Sequence, residues 1–348
     1  MPRERTFWLL LATLLVAGWG ASFFDHRGPH SLRLGLAPDA PPPLAQPAGG
    51  RSFRPARFEL LSTLPAGGAG AELTLPTVLR VGGPGDLYLL DSGRERVLKI
   101  ADDGRPRVAY GPAPADIGNP SDLAVAGTGA VWVCDPDGRR ITVFTPDGRV
   151  ARRIEPRQPV FRLSAPDAQG FVATSFSDRS ETLFQRYSAA GKLESSFGRF
   201  FPAEVQTALT ADGWIVDLPD GGFVYLFRHA GLLAAYSRDG RLRYFRRTVV
   251  PLPWPEVRVD VGGNQSFGPT PPLASVSGSV VGGAGGEFYV LSAEGAQKGR
   301  VLDVYGAADG TYRYSLEPPE GDARSVVLTA DRLWSAGRRG LTLWRRAG

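Results

Sequence analysis

Short apolar runs alternate with turns rich in glycine and aspartate over most of the chain. Six of these runs are alike, each four or five residues long and dominated by aromatic and β-branched side chains: residues 87–91, 131–135, 171–175, 223–227, 288–292 and 333–336. Their second positions lie 44, 40, 52, 65 and 45 residues apart. Such residues favour β-strands, and a period of about 40–50 residues is typical of repeat architectures.

A second apolar run follows each of the first ones, and in five units a short turn and a polar run come next, which carries arginine in four of them. Four of these turns are Asp-Gly, at positions 103–104, 147–148, 239–240 and 309–310. Asp-Gly between alternating runs is a strong hairpin signal, because both central residues of a type I′ turn need a positive φ. Each unit is therefore predicted to hold four antiparallel strands: a small-residue strand, an apolar strand, a mixed strand and a polar outer strand.

Six such units predict an all-β fold, a six-bladed β-propeller of four-stranded blades. The blades are expected at roughly residues 75–112, 119–156, 159–199, 213–247, 277–318 and 323–348. The sixth unit stops where its fourth strand should begin, and a strand-like stretch at residues 57–65 precedes the first unit. We therefore expect this early strand to complete the last blade and close the ring, so that the propeller covers residues 57–348.

The N-terminal segment, residues 1–26, has the pattern of a membrane anchor. Arg3 and Arg5 precede residues 7–24, which carry no charge. As a helix, this stretch is about 27 Å long, close to the ~30 Å hydrocarbon core of a bilayer. An uncleaved anchor in the inner membrane is favoured over a cleaved signal peptide, since no good small-x-small cleavage site follows. Either reading places the remainder in the periplasm or at the cell surface.

Residues 27–56 are rich in proline, glycine and alanine. This composition does not favour a packed core and is typical of a semi-rigid linker. We expect the segment to act as a spacer that lifts the propeller away from the membrane.

The second unit resembles an NHL repeat. The resemblance is carried by residues 120–125, 129–135, 140–144 and Gly148, and the first unit is similar through Asp91 and Arg96. It implies a six-bladed topology but transfers no function, because fold and function are separable. It also implies that Asp91 with Arg96, and Asp135 with Arg140, form structural ion pairs.

The sequence lacks the residues that several kinds of structural and catalytic site need. The single cysteine, Cys134, excludes an internal disulfide and a cysteine-based zinc site, and three histidines leave little for a metal centre or a Ser-His relay. No catalytic residue, metal ligand or cofactor is assigned.

Despite a net charge of +5 there is no run of five like charges, so no nucleic-acid partner is expected. Cys134 is expected to be a small buried residue, and Asp122 and Asp217 to be solvated carboxylates of the central channel.

The long connection at residues 246–277 is the main irregularity between units. Connections of more than about 15 residues in compact domains are usually functional or disordered. Its aromatic and amide side chains favour recognition, and the turns between second and third strands share its face of the propeller. The expected binding residues are Trp254, Asn264, Gln265 and Phe267 of the connection and Arg94, Arg139, Arg179 and Arg228 of the turns.

These features favour a non-catalytic binding or scaffolding propeller of a bacterial envelope. Its partner is expected to be an envelope protein, a glycan or another small molecule held at the channel mouth. The alternative is an enzyme similar to the calcium-dependent lactonases and lyases among six-bladed propellers, with oxygen ligands in the channel holding Ca²⁺. A membrane contact is expected only through residues 7–24.

Overall fold

The computed structural model describes residues 42–67, 72–82, 86–111, 116–175, 182–198, 211–252, 257–259, 265–267, 280–283, 286–292, 299–319, 321 and 323–347. The predicted anchor at residues 7–24 and three expected binding residues, Arg179, Trp254 and Asn264, lie outside the described residues. Within those ranges no helix has the length and apolar character needed to cross a bilayer.

Six four-stranded antiparallel sheets confirm the predicted propeller. The first three blades comprise β2 (Pro76–Gly82), β3 (Asp86–Asp91), β4 (Arg96–Ile100) and β5 (Pro106–Tyr110); β6 (Asp122–Val125), β7 (Val131–Asp135), β8 (Arg140–Phe144) and β9 (Val150–Ile154); and β10 (Arg162–Leu163), β11 (Phe171–Thr174), β12 (Phe184–Tyr187) and β13 (Leu193–Phe197). Each blade runs outward from the axis in chain order.

The last three blades follow the same order except at the end of the chain. They comprise β14 (Gly213–Asp217), β15 (Phe223–Phe227), β16 (Leu232–Tyr236) and β17 (Leu242–Arg247); β20 (Val280–Gly283), β21 (Glu287–Leu291), β22 (Leu302–Gly306) and β23 (Tyr312–Leu316); and β24 (Ala323–Leu328), β25 (Arg332–Gly337), β26 (Gly340–Ala347) and β1 (Arg57–Pro65). A separate two-stranded sheet, β18 (Val257–Val259) with β19 (Gln265–Phe267), lies within the long connection, where the sequence analysis predicts no strands.

The ring is closed by the two ends of the chain, as predicted. β1 pairs antiparallel with β26 from Arg57 opposite Ala347 to Pro65 opposite Gly340, with one bulge between Leu60 and Ser62. At the end of this ladder the chain passes so close that a β-carbon at Gly340 would collide with the carbonyl of Leu64, and Gly340 has a φ of 132°. Glycine is therefore required at this turn.

The blades pack face to face through their middle strands. Every residue of β15 and β16 is buried, because each middle strand lies between two neighbouring blades and has no solvated side. Between blades 3 and 4, the ring of Phe184 contacts those of Phe223, Tyr225 and Tyr236 at centroid separations of 5.0, 5.1 and 5.1 Å. Edge-to-face aromatic contacts of this kind add about 0.5–1.5 kcal/mol each beyond the burial of their area.

The predicted spacer is not a free linker over its second half. Residues 42–56, which we call the strap, lie along the outer strands of blades 4 and 5. Leu44 forms a parallel bridge with Arg246 of β17, and Phe53 forms one with Ser315 of β23. Outer strands present unpaired backbone groups, which the strap satisfies. The spacer interpretation is therefore wrong for residues 42–56, while residues 27–41 lie outside the described residues.

Polar side chains hold the strap in place. The amide of Gln46 donates to the carbonyls of Arg247 and Gly310 at 2.7 and 2.9 Å, and its oxygen accepts from the backbone N–H of Tyr312 at 2.8 Å. Arg51 donates to both carboxylate oxygens of Asp303 at 2.9 and 2.8 Å. Because Arg51 and Asp303 are 9% and 4% exposed, this ion pair is largely removed from water.

We expect Arg51→Met to lower the free energy of unfolding by about 3 kcal/mol, because it leaves the Asp303 carboxylate buried without its cation. The matched control is Arg345→Met, which removes an ion pair with Glu59 whose side chains are 61% and 56% exposed. That change should cost less than about 1 kcal/mol. Urea unfolding followed by tryptophan fluorescence measures both. Equal losses in the two variants would show that the buried Arg51–Asp303 pair stabilises the fold no more than an exposed ion pair does.

Candidate binding site

The propeller presents two faces around its axis. The hairpin face carries the turns that join first to second strands and third to fourth strands. The connection face carries the turns that join second to third strands, together with the links between blades. The binding residues predicted from the sequence are expected on the connection face.

On the connection face, Asp91 and Asp135 tie the inter-blade links to the ends of β3 and β7. Asp91 accepts from the backbone N–H groups of Thr74 and Leu75 at 3.1 and 2.7 Å, and Arg96 lies 3.6 Å away. Charge-assisted bonds to backbone N–H groups of this kind fix a loop to a strand end. The aspartate thus acts as a clamp that holds the link preceding its own blade.

Asp135 makes the corresponding set of bonds in blade 2. It accepts from the backbone N–H groups of Gly118 and Gly138 at 3.0 and 2.9 Å, and from Nε of Arg140 at 2.9 Å. Both carboxylates are almost fully buried. The geometry of the two Asp-Arg sets is that of structural ion pairs.

The expected binding arginines are distributed over separate blades. Arg94 donates to the carbonyl of Glu72 at 2.9 Å in blade 1, and Arg139 is exposed in blade 2 with a φ of 48°. Arg228 lies 3.3 Å from Asp212 in blade 4. Of the connection, Gln265 and Phe267 lie on β19. Arg94 and Arg228 thus bond to their own blades.

Arg162 is a buried cation that links blades 2, 3 and 4 near the axis. It donates to the carbonyls of Ser121 and Gly213 at 2.9 and 2.8 Å, lies 3.2 Å from Asp212, and places its guanidinium 4.0 Å from the ring centroid of Trp214. Sequence reasoning missed this residue. Its planar group suits simultaneous hydrogen bonding and ring stacking, which a lysine would not supply.

Burial also shifts the pKa values of two other residues. His229, at the same end of blade 4, has its pKa lowered to about 4, mainly by burial and secondarily by the nearby Arg228. It is therefore neutral at physiological pH. Cys134 is fully buried, as predicted, and burial raises the pKa of its thiol well above the usual range.

Asp122 is not the solvated channel carboxylate that the sequence suggests. It is fully buried, accepts from the backbone N–H of Leu163 at 3.2 Å and pairs with Arg80 at 2.9 Å. These bonds join the inner strands of blades 1, 2 and 3. Within the described residues, no group of three or more His, Cys, Asp or Glu side chains is arranged to hold a metal ion.

A cavity of about 570 Å³ opens on the hairpin face between blades 3 and 4. Its walls are the first turns of these blades, at residues 164–167, 169–172 and 217–222, together with Gly127 of blade 2 and the side chains of Arg186, Glu194 and Arg238. Volumes of about 300–1,000 Å³ are typical of small-molecule sites. The cavity lies on the face opposite to the one predicted.

The two turns that build the cavity share a local sequence. Each begins with Pro-Asp, at 166–167 and 219–220, and the aspartate accepts from a backbone N–H two residues on: Gln169 at 2.7 Å and Gly222 at 3.0 Å. Such Asx turns fix the backbone without a strand. Pro-Asp also occurs at 38–39, 136–137 and 146–147, so the dipeptide alone does not identify these turns in the sequence.

Asp217 lies where the cavity approaches the axis. Its Oδ1 accepts from the backbone N–H of Ala165 at 2.9 Å, which links blade 4 to blade 3. Burial raises the pKa of this carboxyl to about 6, against the smaller lowering effects of the Ala165 hydrogen bond and of Arg80. Asp217 therefore titrates just below neutral pH, unlike an exposed aspartate.

We expect Asp217→Asn to stabilise the fold in a pH-dependent way. Because the folded-state pKa is raised, ionisation of Asp217 costs stability as pH rises from about 4 through about 6, so the variant should gain up to about 3 kcal/mol at pH 7.5 and little at pH 4. Urea unfolding at both values measures the difference. Asp239→Asn should behave oppositely, since the Ser237 hydroxyl bond lowers the pKa of that exposed carboxyl. A pH-independent effect of Asp217→Asn would contradict this assignment.

Comparison with known proteins places the chain by its fold alone. No protein-family model and no curated protein sequence matches it. Among solved structures it is similar to virginiamycin B lyase from Staphylococcus aureus, with a TM-score of 0.55 and 12% identity over 84% of this chain and all of that one. It is also similar to a streptogramin B lyase (0.53, 12%, 83% and 98%) and to the WD40 repeats of RRP9 (0.52, 12%, 83% and 97%). The chain therefore has a β-propeller fold.

Proposed function

We propose that this protein is a non-catalytic binding or scaffolding propeller of a bacterial envelope, built from NHL-like repeats. In this proposal the N-terminal segment, residues 7–24, holds it to the inner membrane and the propeller lies outside the cytoplasm. It recognises a small molecule, a glycan or a segment of an envelope protein at a mouth of the central channel.

The cavity on the hairpin face is the observation that carries the proposal. It is concave, has the volume of a ligand site, and combines apolar walls with several charged groups. Two charged pairs elsewhere near the axis, Arg80 with Asp122 and Arg162 with Asp212, tie neighbouring blades together. The cavity offers carboxylates and guanidinium groups at a surface that a ligand can reach.

Filling the cavity should abolish binding. A β-carbon at Gly127 would have no atom within 4 Å, so Gly127→Trp adds bulk at the cavity without a backbone clash. The immobilised protein is equilibrated with solubilised envelope extract, and retained species are identified by mass spectrometry. We expect at least one species to be retained by the wild type and by Glu317→Trp, a control at an exposed site on blade 5, and to be lost from Gly127→Trp.

If the wild type retains nothing that Gly127→Trp releases, the cavity is not the binding site and the proposal fails. Circular dichroism and melting temperature confirm that both tryptophan variants are folded. This control matters because loss of binding through misfolding would otherwise resemble loss of the site.

The second candidate is a lyase- or lactonase-like enzyme that uses Ca²⁺, and the fold likeness to streptogramin lyases favours it. A calcium titration separates the two functions. Stoichiometric binding that raises the melting temperature, reversed by a chelator, would favour the enzyme. An unchanged melting temperature with calcium and with chelator is the outcome expected of a binding module.

A further inference from the structure

The charges that line the hairpin-face cavity do not balance. Four carboxylates lie in its walls with two guanidinium groups: Asp167, Asp217, Asp220 and Glu194 against Arg186 and Arg238. A third arginine, Arg243 of β17, pairs with Asp220 from outside the lining at 2.6 Å. When Arg243 is counted, the cavity still has a net charge of −1, whereas the whole chain has a net charge of +5.

The ion pairs show which carboxylates of the walls lack a cation. Arg238 pairs with Asp167, and Arg243 with Asp220. Arg186 and Glu194 add one positive and one negative charge to the walls of the cavity, without an ion pair between them in the described part of the chain. Within the described residues, Asp217 and Glu194 form no ion pair; Glu194 is exposed to solvent, whereas Asp217 is half-buried at the end of the innermost strand of blade 4.

Arg80, the arginine that acts electrostatically on Asp217, is already engaged. Arg80 influences Asp217, but its guanidinium lies 2.9 Å from the fully buried Asp122 and donates to it. The Ala165 N–H satisfies only one oxygen of Asp217. A carboxylate accepts several hydrogen bonds, so the second oxygen remains available to a donor in the cavity.

The remaining wall residues indicate what kind of ligand could carry such a donor. Phe171, Val172 and Leu218 supply apolar surface beneath the charged rim, and Pro166 and Pro219 give it rigid edges without backbone N–H donors. Such walls favour a ligand with an apolar or aromatic body. The net negative charge of the cavity favours a ligand with a single positive charge, because opposite charges attract and an anionic ligand would be repelled.

We propose that the cavity binds a ligand with one ammonium group on an apolar or aromatic body, with the ammonium bonded to Asp217. This inference rests on the proposed function and names the ligand class for the same site. An anionic or phosphorylated ligand is disfavoured, since the two guanidinium groups of the walls are already offset by carboxylates.

Three small probes of nearly equal shape test the charge preference. Tyramine carries an ammonium group, tyrosol has a hydroxyl in its place, and 4-hydroxyphenylacetate has a carboxylate. Calorimetric titration uses the full chain in maltoside detergent at pH 7.5. We expect tyramine to bind at least about tenfold more tightly than tyrosol, the effect of one charge-assisted hydrogen bond, and 4-hydroxyphenylacetate to bind most weakly.

Asp217→Asn should remove the preference for tyramine over tyrosol, and Glu317→Gln, at an exposed site on blade 5, should leave it unchanged. The wild-type affinity for tyramine should also fall as pH drops from 7.5 to 5, when Asp217 gains a proton, and that of Asp217→Asn should change less. The other charged groups that face Asp217 or line the cavity remain in both proteins: Arg80, Asp122, Asp167, Arg186, Glu194, Asp220 and Arg238.

The outcomes distinguish the ligand class from the binding function. If tyrosol or 4-hydroxyphenylacetate binds as tightly as tyramine, and Gly127→Trp blocks that binding, the ammonium assignment is overturned while the cavity remains a binding site. If none of the probes binds, or if Asp217→Asn keeps the preference, the assignment is also overturned. The proposed function itself falls only if Gly127→Trp also fails to release any species from the envelope extract.

Discussion

The pairing of β1 with β26 is the constraint on which the rest of the structure depends. Blades packed face to face form a ring. A sheet face stays exposed to solvent unless the first and last blades of this ring are joined. Here the third strand of blade 6 comes from the end of the chain and the fourth from residues 57–65. Unfolding of blade 6 would therefore expose the packed faces of both neighbouring blades at once.

Closure by the N-terminal strand also sets the path of the residues that precede it. The strap reaches β1 by running along the outer strands of blades 4 and 5, and a buried ion pair fixes it there. If residues 7–24 are an anchor, at most 17 residues separate it from residue 42 at the edge of blade 4. Extended chain spans about 3.3–3.6 Å per residue, so the propeller would lie within about 60 Å of the anchor.

The sequence predicts those features that depend on local pattern. The repeated apolar runs, the Asp-Gly turns and the missing last strand were sufficient for the blade number and for the role of residues 57–65. The strap is not predictable in this way, because its order comes from contacts such as Arg51 with Asp303, which lie 252 positions apart. The cavity is built by turns of three blades, and no local pattern indicates it, since the Pro-Asp of its two main turns also occurs at 38–39, 136–137 and 146–147. The sequence predicts the same role for Asp122 and Asp217, yet Asp122 forms an ion pair with Arg80 and Asp217 does not.

A designed disulfide between β1 and β26 tests ring closure most directly. Glu59 and Arg345 lie opposite one another, are both exposed, and have side chains 2.7 Å apart. The double variant Glu59→Cys/Arg345→Cys should form a disulfide under mild oxidation, because directly paired strand residues meet the distance requirement, and the buried Cys134 should not interfere. Glu59→Cys/Arg313→Cys, which places the second thiol on blade 5, should not cross-link. Failure of the first pair, or equal cross-linking of both, would contradict closure of the ring by the two ends of the chain.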